Sequence, residues 1–419
     1  MLALLLSGAG GAADNGEPLP QPLTLADALR HARDVPALQR AGAAEQAAQA
    51  GLLSAESLSG TRLTAVGRLR AIEPTYKSGN DDANDSSASL ALRKRLYDFG
   101  YSDALETSAQ TALQASQWQL QHARQQARLA VMRAYFDVLL ADLEFARDNE
   151  HMAIAFISAD RARDRNELGQ VSDVDLLELE SEFQEVRRKR FASETRQVLT
   201  RSRLANAMGR PGDLVSDLVM PQIELPDSMA DDFGAFWQQV MQDNPELLGL
   251  RAQREAAREQ LTAARAAHGP VLSGEIDATW YNRNTASTHP LGGGLVLEVP
   301  LFSGGAKDAE IAAAQAQLRE VQAALTEAEL RLRQQAMDLW MGRNNIRADV
   351  QAFEVMRDYR DLYLDRSRAL YELELKTDLG DAMTQTSDVR LKLAGALFDW
   401  AMTQARMQAM TGRLLEEQQ

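Results

Sequence analysis

The chain has 419 residues, of which 45% are hydrophobic and 25% are charged, and its formal net charge at pH 7 is −15. A surface with such an acidic balance repels phosphate groups, which argues against a nucleic-acid partner. The chain contains no cysteine, so disulfides, thiolate metal sites and a cysteine nucleophile are excluded. Ala, Gln, Leu and Arg dominate long stretches, and these residues favour helix.

The first 13 residues are similar to the end of a secretion signal. An apolar run from Met1 to Leu6 is followed by small residues only, from Ser7 to Ala13. This order predicts cleavage after Ala13 and an exported protein, with residues 1–13 as a signal-peptide remnant. Beyond it, no segment reaches the roughly 20 apolar residues of a membrane-spanning helix.

The sequence contains an internal repeat with an offset of about 205 residues. Leu96-Tyr-Asp-Phe-Gly100 returns as Leu301-Phe-Ser-Gly-Gly305, and Asp34-Val-Pro36 returns as Asp243-Asn-Pro245. A repeat this long indicates a duplicated structural unit rather than a solenoid of short repeats. The predicted parts are a first unit at 14–209, a proline-containing linker at 210–233 and a second unit at 234–419.

A long helical hairpin is predicted in each unit. No glycine or proline occurs from Tyr101 to Leu168, a stretch that measures about 100 Å as one helix. In the second unit, apolar residues recur every seven positions, which indicates coiled-coil packing. These residues are Ile311, Leu318, Leu325, Leu332, Leu339, Ile346 and Phe353. The predicted helices span about 101–168, 172–209, 306–375 and 378–416. Taken alone, they fit a cytoplasmic coiled-coil scaffold equally well.

Four shorter segments alternate apolar and polar residues, which predicts strands with one apolar face. Their length of ~10–12 residues is about what a tilted strand needs to cross a bilayer. The predicted strands span about 61–73, 88–98, 272–282 and 291–302. The predicted lipid-facing residues are Leu63, Leu69, Leu90, Leu92, Ile276, Trp280, Leu295 and Leu297.

Four strands in one chain cannot stand alone in lipid, because their open edges leave backbone groups unpaired. A closed barrel needs at least eight strands, so the chain would share strands with copies of itself as a dimer, trimer or tetramer. The alternative is a soluble protein in which two hairpins cover a helical bundle. Closely spaced arginines on the polar faces favour a wet lumen over such a core.

The order of these elements resembles the TolC-type outer-membrane efflux and secretion channels, from about Thr24 to Leu414. The resemblance rests on the duplicated helix–strand–strand–helix plan, on Thr24-Leu-Ala-Asp-Ala-Leu29 and on the strand-to-helix motifs. The boundary residues of these motifs are Gly100, Pro300, Gly304 and Gly305. The resemblance implies a mainly α fold with transmembrane β, in which long helical hairpins form an α-barrel. Four β-strands per chain would contribute to a twelve-stranded outer-membrane β-barrel in a homotrimer.

The same resemblance implies a passive export duct, not an enzyme, in the cell outer membrane with a long periplasmic domain. The implied partners are a periplasmic adaptor protein, an inner-membrane transporter of the RND, ABC or MFS type, and outer-membrane lipid. The substrate class stays open among drugs, metal ions and polypeptides.

The resemblance also places a periplasmic gate at the tips of the helical hairpins. The family pattern is a glycine, a small hydroxyl residue three positions later, and acids six and nine positions later. It matches Gly169, Ser172, Asp175 and Glu178, whereas the second unit lacks the glycine, and Asp381 is expected to form the gate there. The predicted adaptor-docking residues are Gly169, Ser172, Thr377 and Gly380. Ser172 followed by Asp175 is also an ordinary helix cap, which is the structural alternative.

Enzymatic interpretations have little support in the sequence. Gly8-Ala-Gly10-Gly-Ala-Ala13 mimics a dinucleotide-binding fingerprint, but no alternation of strands and helices follows it. The five histidines are scattered, and none forms a pair at metal-ligand spacing. We therefore expect no catalytic residue, cofactor or metal. The alternative function is a soluble periplasmic coiled-coil adaptor or scaffold.

Overall fold

A computed structural model describes residues 19–32, 35–74, 82–226, 232–284, 288–373, 375 and 379–418. The predicted signal-peptide remnant and the predicted docking residue Thr377 lie outside the described residues. The helices are α1 (Leu25–His31), α2 (Pro36–Glu56), α3 (Tyr101–Glu167), α4 (Asp173–Ala207), α5 (Phe233–Asp243), α6 (Pro245–Ala266), α7 (Ala306–Glu372) and α8 (Leu379–Met410), followed by a 3-10 helix (Arg413–Gln418). Of the helices described, none is both long enough and apolar enough to cross a membrane.

The strands β1 (Thr61–Arg68), β2 (Ser87–Tyr97), β3 (Val271–Tyr281) and β4 (Leu291–Glu298) form one antiparallel sheet in sequence order. Leu63 lies opposite Leu92, which in turn lies opposite Ile276. Because side chains alternate between the two faces of a strand, this register collects the apolar positions on one face. A bulge between Arg95 and Tyr97 shifts the end of β2 against β3.

The two edge strands are shorter than the alternating pattern predicts. β1 ends at Arg68, which pairs with the first residue of β2, and β4 ends at Glu298, which pairs with the first residue of β3. Each strand thus stops where its partner begins. Beyond Arg68, the hairpin continues only as an isolated bridge between Ala71 and Asn84.

Each pair of strands leads into a long helix through a left-handed glycine. Gly100 and Gly305 are the N-cap residues of α3 and α7, with φ of 89° and 88°. Glycine adopts this conformation without steric cost. Pro300 and a further left-handed glycine, Gly304, precede Gly305. Both α3 and α7 contain 67 residues, so each is about 100 Å long.

The shorter helices lie along the two long ones. α2 and α4 pack against α3, and α6 and α8 pack against α7, while α3 also contacts α6 and α8. At the joint between α8 and α6, the Nδ2 of Asn244 donates to the Met410 carbonyl oxygen over 2.9 Å. The Oδ1 of Asn244 accepts hydrogen bonds from the backbone N–H groups of Glu246 and Leu247. One side chain therefore connects the end of α8 to the start of α6.

The main core lies beside the middle of α3. The rings of Phe136 and Phe398 stack with centroids 4.6 Å apart and join α3 to α8. Tyr135 is fully buried, and its hydroxyl donates to the carbonyl oxygens of Leu23 and Val219 over 2.9 and 2.6 Å. Those two extended segments also pair through a short parallel bridge. The core thus holds the two extended segments, around Leu23 and Val219, against the side of α3.

A second core lies beside the middle of α7. The ring centroid of Trp340 is 5.9 Å from that of Phe233 and 5.4 Å from that of Phe236, so α5 packs on α7 through aromatic contacts. The Arg343 guanidinium lies 3.5 Å from the Trp340 ring centroid, a distance at which the cation is attracted to the ring.

Candidate functional site

One face of the sheet is apolar and exposed. Ile276 and Trp280 keep 53% and 63% of their surface exposed. A contiguous apolar surface of this kind indicates contact with a membrane or with another protein. The register places these predicted lipid-facing residues on that face: Leu63, Leu90, Leu92, Ile276, Trp280, Leu295 and Leu297. Leu69 lies one residue beyond the end of β1.

The opposite face of the sheet is polar and carries charges of both signs. Arg93 of β2 and Glu275 of β3 form an ion pair of 2.5 Å, and Arg62 pairs with Arg93 in the register. Asp277 lies close above β4, where a Cβ on Gly292 would be 2.8 Å from its Oδ1. Because these side chains are partly exposed, such ion pairs contribute about 0–1 kcal/mol each. They set the polarity of the face more than its stability.

The outer strands β1 and β4 are open edges within the described part of the chain. An open edge presents a row of unpaired N–H and C=O groups, which can pair with another strand. In a hydrocarbon environment each unpaired group costs several kcal/mol. The sheet of one chain is therefore incomplete as a membrane structure.

A buried carboxylate fixes the junction between β2 and α3. Asp98 accepts hydrogen bonds from the Ser102 backbone N–H and from the Arg95 guanidinium, both over 3.0 Å. Burial opposes ionisation, but the hydrogen bonds from Ser102 and Arg95 outweigh it and lower the pKa of the Asp98 carboxyl. The matching residue in the second unit is Ser303, so the two junctions are held by different groups.

The tip of the first hairpin, between α3 and α4, is a tight capped turn. Gly169 has φ of 71°, and Asn166 donates to the Val171 carbonyl oxygen over 3.0 Å. Ser172 is the N-cap of α4, where its hydroxyl accepts from the Asp175 backbone N–H and donates to the Asp175 carboxylate over 2.7 Å. The expected cap is therefore present. Asp175 and Glu178, one turn further along α4, are both exposed.

At the second tip, Gly380 and Asp381 occupy the first turn of α8. Asp381 is exposed and accepts a hydrogen bond from the Gln385 Nε2 over 2.6 Å. Gly380 faces α3, because a Cβ on it would lie 2.6 Å from the Cγ2 of Ile154. A glycine at this position permits α8 to approach α3 closely. The predicted gate residues are thus divided between α4 and α8.

Polar contacts between α3 and α8 continue from Gly380 towards the middle of α3. Arg147 contacts Asp388 of α8 over 3.3 Å and its neighbour Asp148 over 2.7 Å. Glu150 accepts a hydrogen bond from the Ser387 hydroxyl. We call Arg147, Asp148, Glu150, Ser387 and Asp388 the α3–α8 cluster. It joins the two hairpins close to the tip.

The charge on Arg147 is stabilised by its neighbours. Burial disfavours the charged guanidinium, but its hydrogen bond to the Asp148 carboxylate and the negative charges of Asp148, Asp388 and Glu144 outweigh it and raise the pKa of Arg147. The sequence alone does not predict this cluster. In the sequence, its charged members are typical of the solvated face of a helix, and Arg147 and Asp388 are 241 positions apart.

Within the described ranges, no group of three His, Asp or Glu side chains is placed to hold a metal ion.

Comparisons with known proteins agree on one family. Residues 236–413 match the outer membrane efflux protein family. The chain is 24% identical to the outer membrane protein TolC of Vibrio cholerae over 349 residues, which are 79% of this chain and 77% of that protein. It is 25% identical to TolC of Escherichia coli K12 over 373 residues, 82% of this chain and 73% of that protein. The CmeC outer membrane channel of Campylobacter jejuni has the same fold, with a TM-score of 0.78 at 12% identity, covering 94% of this chain and 87% of that one.

Long helical hairpins beneath a sheet with one exposed apolar face define the class of outer-membrane export channels. Residues 236–413 match the outer membrane efflux protein family, and the chain as a whole is similar to the TolC-type outer-membrane channels. It resides in the outer membrane, with its helical hairpins in the periplasm.

Proposed function

We propose that three copies of the chain form a passive duct that exports substrates across the periplasm and the outer membrane. The observation that supports this most directly is the sheet: its apolar face is exposed and both of its edges are open. Energy would come from the inner-membrane transporter, and the duct itself would perform no catalysis.

The trimer is argued from the number of strands. Pairing the β4 edge of one copy with the β1 edge of the next closes a ring, in which three copies give twelve strands. The Leu63–Leu92–Ile276 row would then face lipid, and the face with Arg93 and Glu275 would line the lumen. β2 and β3, with 11 residues each, have the length of a spanning strand. Closure satisfies the edge groups that a single chain leaves unpaired.

A soluble coiled-coil adaptor or scaffold, the alternative function, is not favoured. It would leave the apolar face of the sheet in water, where a contiguous apolar surface favours association. The relatives that the chain matches are outer membrane proteins.

The periplasmic gate is proposed to combine two features at the hairpin tips. Three-fold symmetry would bring three copies of Asp381 together, with Asp175 and Glu178 behind them, and such a ring attracts cations. The α3–α8 cluster and the close approach of Gly380 to Ile154 would hold the second hairpin against the first. Opening the duct would then require breaking the contact of Arg147 with Asp388.

The hairpin tips are also the proposed docking surface for a periplasmic adaptor. Gly169, Ser172 and Gly380 lie at the two tips, and Thr377 belongs to the same segment of the sequence as Gly380.

The test is single-channel recording of the purified protein in planar bilayers. The wild type should give discrete conductance steps and should be blocked by multivalent cations. Asp381→Ala should raise conductance and weaken the block, because it removes the charges of the ring. Arg147→Ala should raise conductance through a looser hairpin while leaving the block in place. Glu320→Ala, an exposed acid on the barrel half of α7, is the matched control and should behave as the wild type.

These variants separate the parts of the proposal. Absence of any conductance step would overturn the duct itself. An unchanged cation block in Asp381→Ala would remove Asp381 from the gate and leave the duct standing. Wild-type conductance in Arg147→Ala would show that the α3–α8 cluster does not restrain opening.

A further inference from the structure

A cavity of about 580 Å³ lies at the joint where α8 ends and α6 begins, between α3 and α7. Its volume falls in the range of small-molecule sites, about 300–1,000 Å³. Leucine, alanine and methionine side chains form part of its wall. Its polar lining includes His122, Gln125, Glu246, Arg331, Asp338 and Arg406.

Gln125 is the polar group in the wall that needs an occupant. The side chain is 1% exposed, and its Nε2 has no hydrogen-bond partner among the described residues. A buried N–H donor without an acceptor is destabilising, so such groups are almost always satisfied. Since Gln125 lines the cavity, an oxygen atom of an occupant can satisfy it.

The charges around the cavity balance. Glu246 is paired with Arg331, and Asp338 and Arg406 supply one further charge of each sign. Burial lowers the pKa of His122, against the opposing effect of Glu246, so this imidazole is neutral at pH 7. A lining with no net charge favours an occupant with no net charge. The separated charges at its exposed side favour one that carries both signs.

We infer that this cavity binds a small zwitterion with an apolar body, of the chemical class of a free amino acid with an aliphatic side chain. A carboxylate oxygen would accept from the Gln125 Nε2, and the ammonium group would lie toward Asp338. The aliphatic part would contact the leucine and methionine side chains of the wall. Nothing in the proposed export function assigns a ligand to this place.

The experiment is isothermal titration calorimetry of the full-length protein in detergent, with L-leucine as the probe. Acetate and n-butylamine serve as separate halves of the ligand. We expect saturable binding of leucine, no saturable binding of either half alone, and a higher thermal midpoint at saturating leucine, since a ligand that binds only the folded state stabilises it.

Gln125→Met removes the donor while keeping an unbranched side chain of similar length. It should abolish leucine binding and leave the thermal midpoint without ligand unchanged or raised, because a buried unpaired amide is lost. Gln117→Met, two helical turns earlier on the exposed side of α3, is the control and should bind leucine normally.

Three results would overturn the inference. They are no saturable heat with the wild type, which would mean that only water occupies the cavity; equal binding by Gln125→Met; or a structure of the assembled protein in which a neighbouring copy fills the cavity. Each result is independent of the bilayer recordings, so the proposed duct is tested separately from the proposed ligand site.

Discussion

The two repeats use the same helical position to hold different neighbours. Tyr135 and Trp340 are each the 35th residue of their 67-residue helices, α3 and α7. Tyr135 holds two extended segments by donating one hydroxyl to two backbone carbonyls. Trp340 holds a helix, α5, by contact with the rings of Phe233 and Phe236. An extended segment offers backbone acceptors, whereas a helix has satisfied its own and offers side chains instead.

The joints between the shorter helices differ in a similar way. Val35 and Asn244 precede Pro36 and Pro245 at matching positions, and both have extended backbone dihedrals. Asn244 caps α6 and connects it to Met410, whereas Val35 makes no side-chain cap to α2. The duplicated plan therefore preserves the backbone at this joint and changes the side chain that stabilises it.

The largest effect is expected at the aromatic position of the second unit. Trp340→Ala removes the contacts with α5 and the Arg343 guanidinium and leaves a cavity, which should cost about 3–5 kcal/mol of the free energy of unfolding. A denaturant titration, monitored through the circular dichroism signal of the helices, measures this loss of stability. Trp340→Phe keeps part of the packing and should cost less than half as much. A loss below about 1 kcal/mol for Trp340→Ala would mean that α5 does not depend on this ring.

In the first unit, the hydrogen bonds of the Tyr135 hydroxyl, rather than ring packing, should hold the neighbouring segments. Tyr135→Phe keeps the ring and leaves the Leu23 and Val219 carbonyl oxygens without this donor, which should cost about 1–3 kcal/mol. Tyr371→Phe, at a largely exposed tyrosine, is the control and should have no measurable effect. If Tyr135→Phe also has no measurable effect on the free energy of unfolding, both units rely on packing and the contrast between them disappears.

The same hydroxyl should produce a loss of stability at high pH. Burial, with the negative charge of Asp27, raises the pKa of Tyr135 to about 12, above the ordinary value near 10. The unfolded chain therefore loses its proton first, so this contribution is complete below about pH 10 and is lost as pH rises towards 12. The expected loss is at most about 3 kcal/mol. The difference in the free energy of unfolding between wild type and Tyr135→Phe should shrink as the pH rises over this interval. A difference that stays constant would contradict this prediction.

The smallest effect tests the joints. Val35→Asn gives α2 the N-cap that α6 already has, on a backbone of the same conformation, and should stabilise the protein by about 0.5–1 kcal/mol. Val35→Ala, which supplies no cap, separates capping from the loss of the valine side chain. Thermal midpoints of the two variants measure the difference. A destabilising Val35→Asn would show that the first joint needs an apolar residue.

Much of the architecture could be predicted because it depends on local pattern. Glycine-free runs and seven-residue spacing indicated the long helices, and alternation indicated the strands. The cap at Ser172 and Asp175 followed from adjacent residues. The strand ends at Arg68 and Glu298 were missed, because a strand stops where its partner does. Alternation within one segment carries no information about that partner.

The α3–α8 cluster and the cavity at the α6 joint could not be predicted for a related reason. Arg147 and Asp388 come into contact only because two helices distant in sequence lie side by side. Gln125 is one of several glutamines in its stretch of α3, and only the packing of three other helices buries it. The lipid-facing and gate assignments stay predictions.

Because α7 is long, a small change of direction near its middle displaces its C-terminal end by a much larger distance. From Trp340 to Glu372 the helix extends about 48 Å, so a tilt of about 5° at Trp340 moves the far end by about 4 Å. A change in the packing of Trp340 against α5 that tilts α7 would therefore displace the tip of the second hairpin.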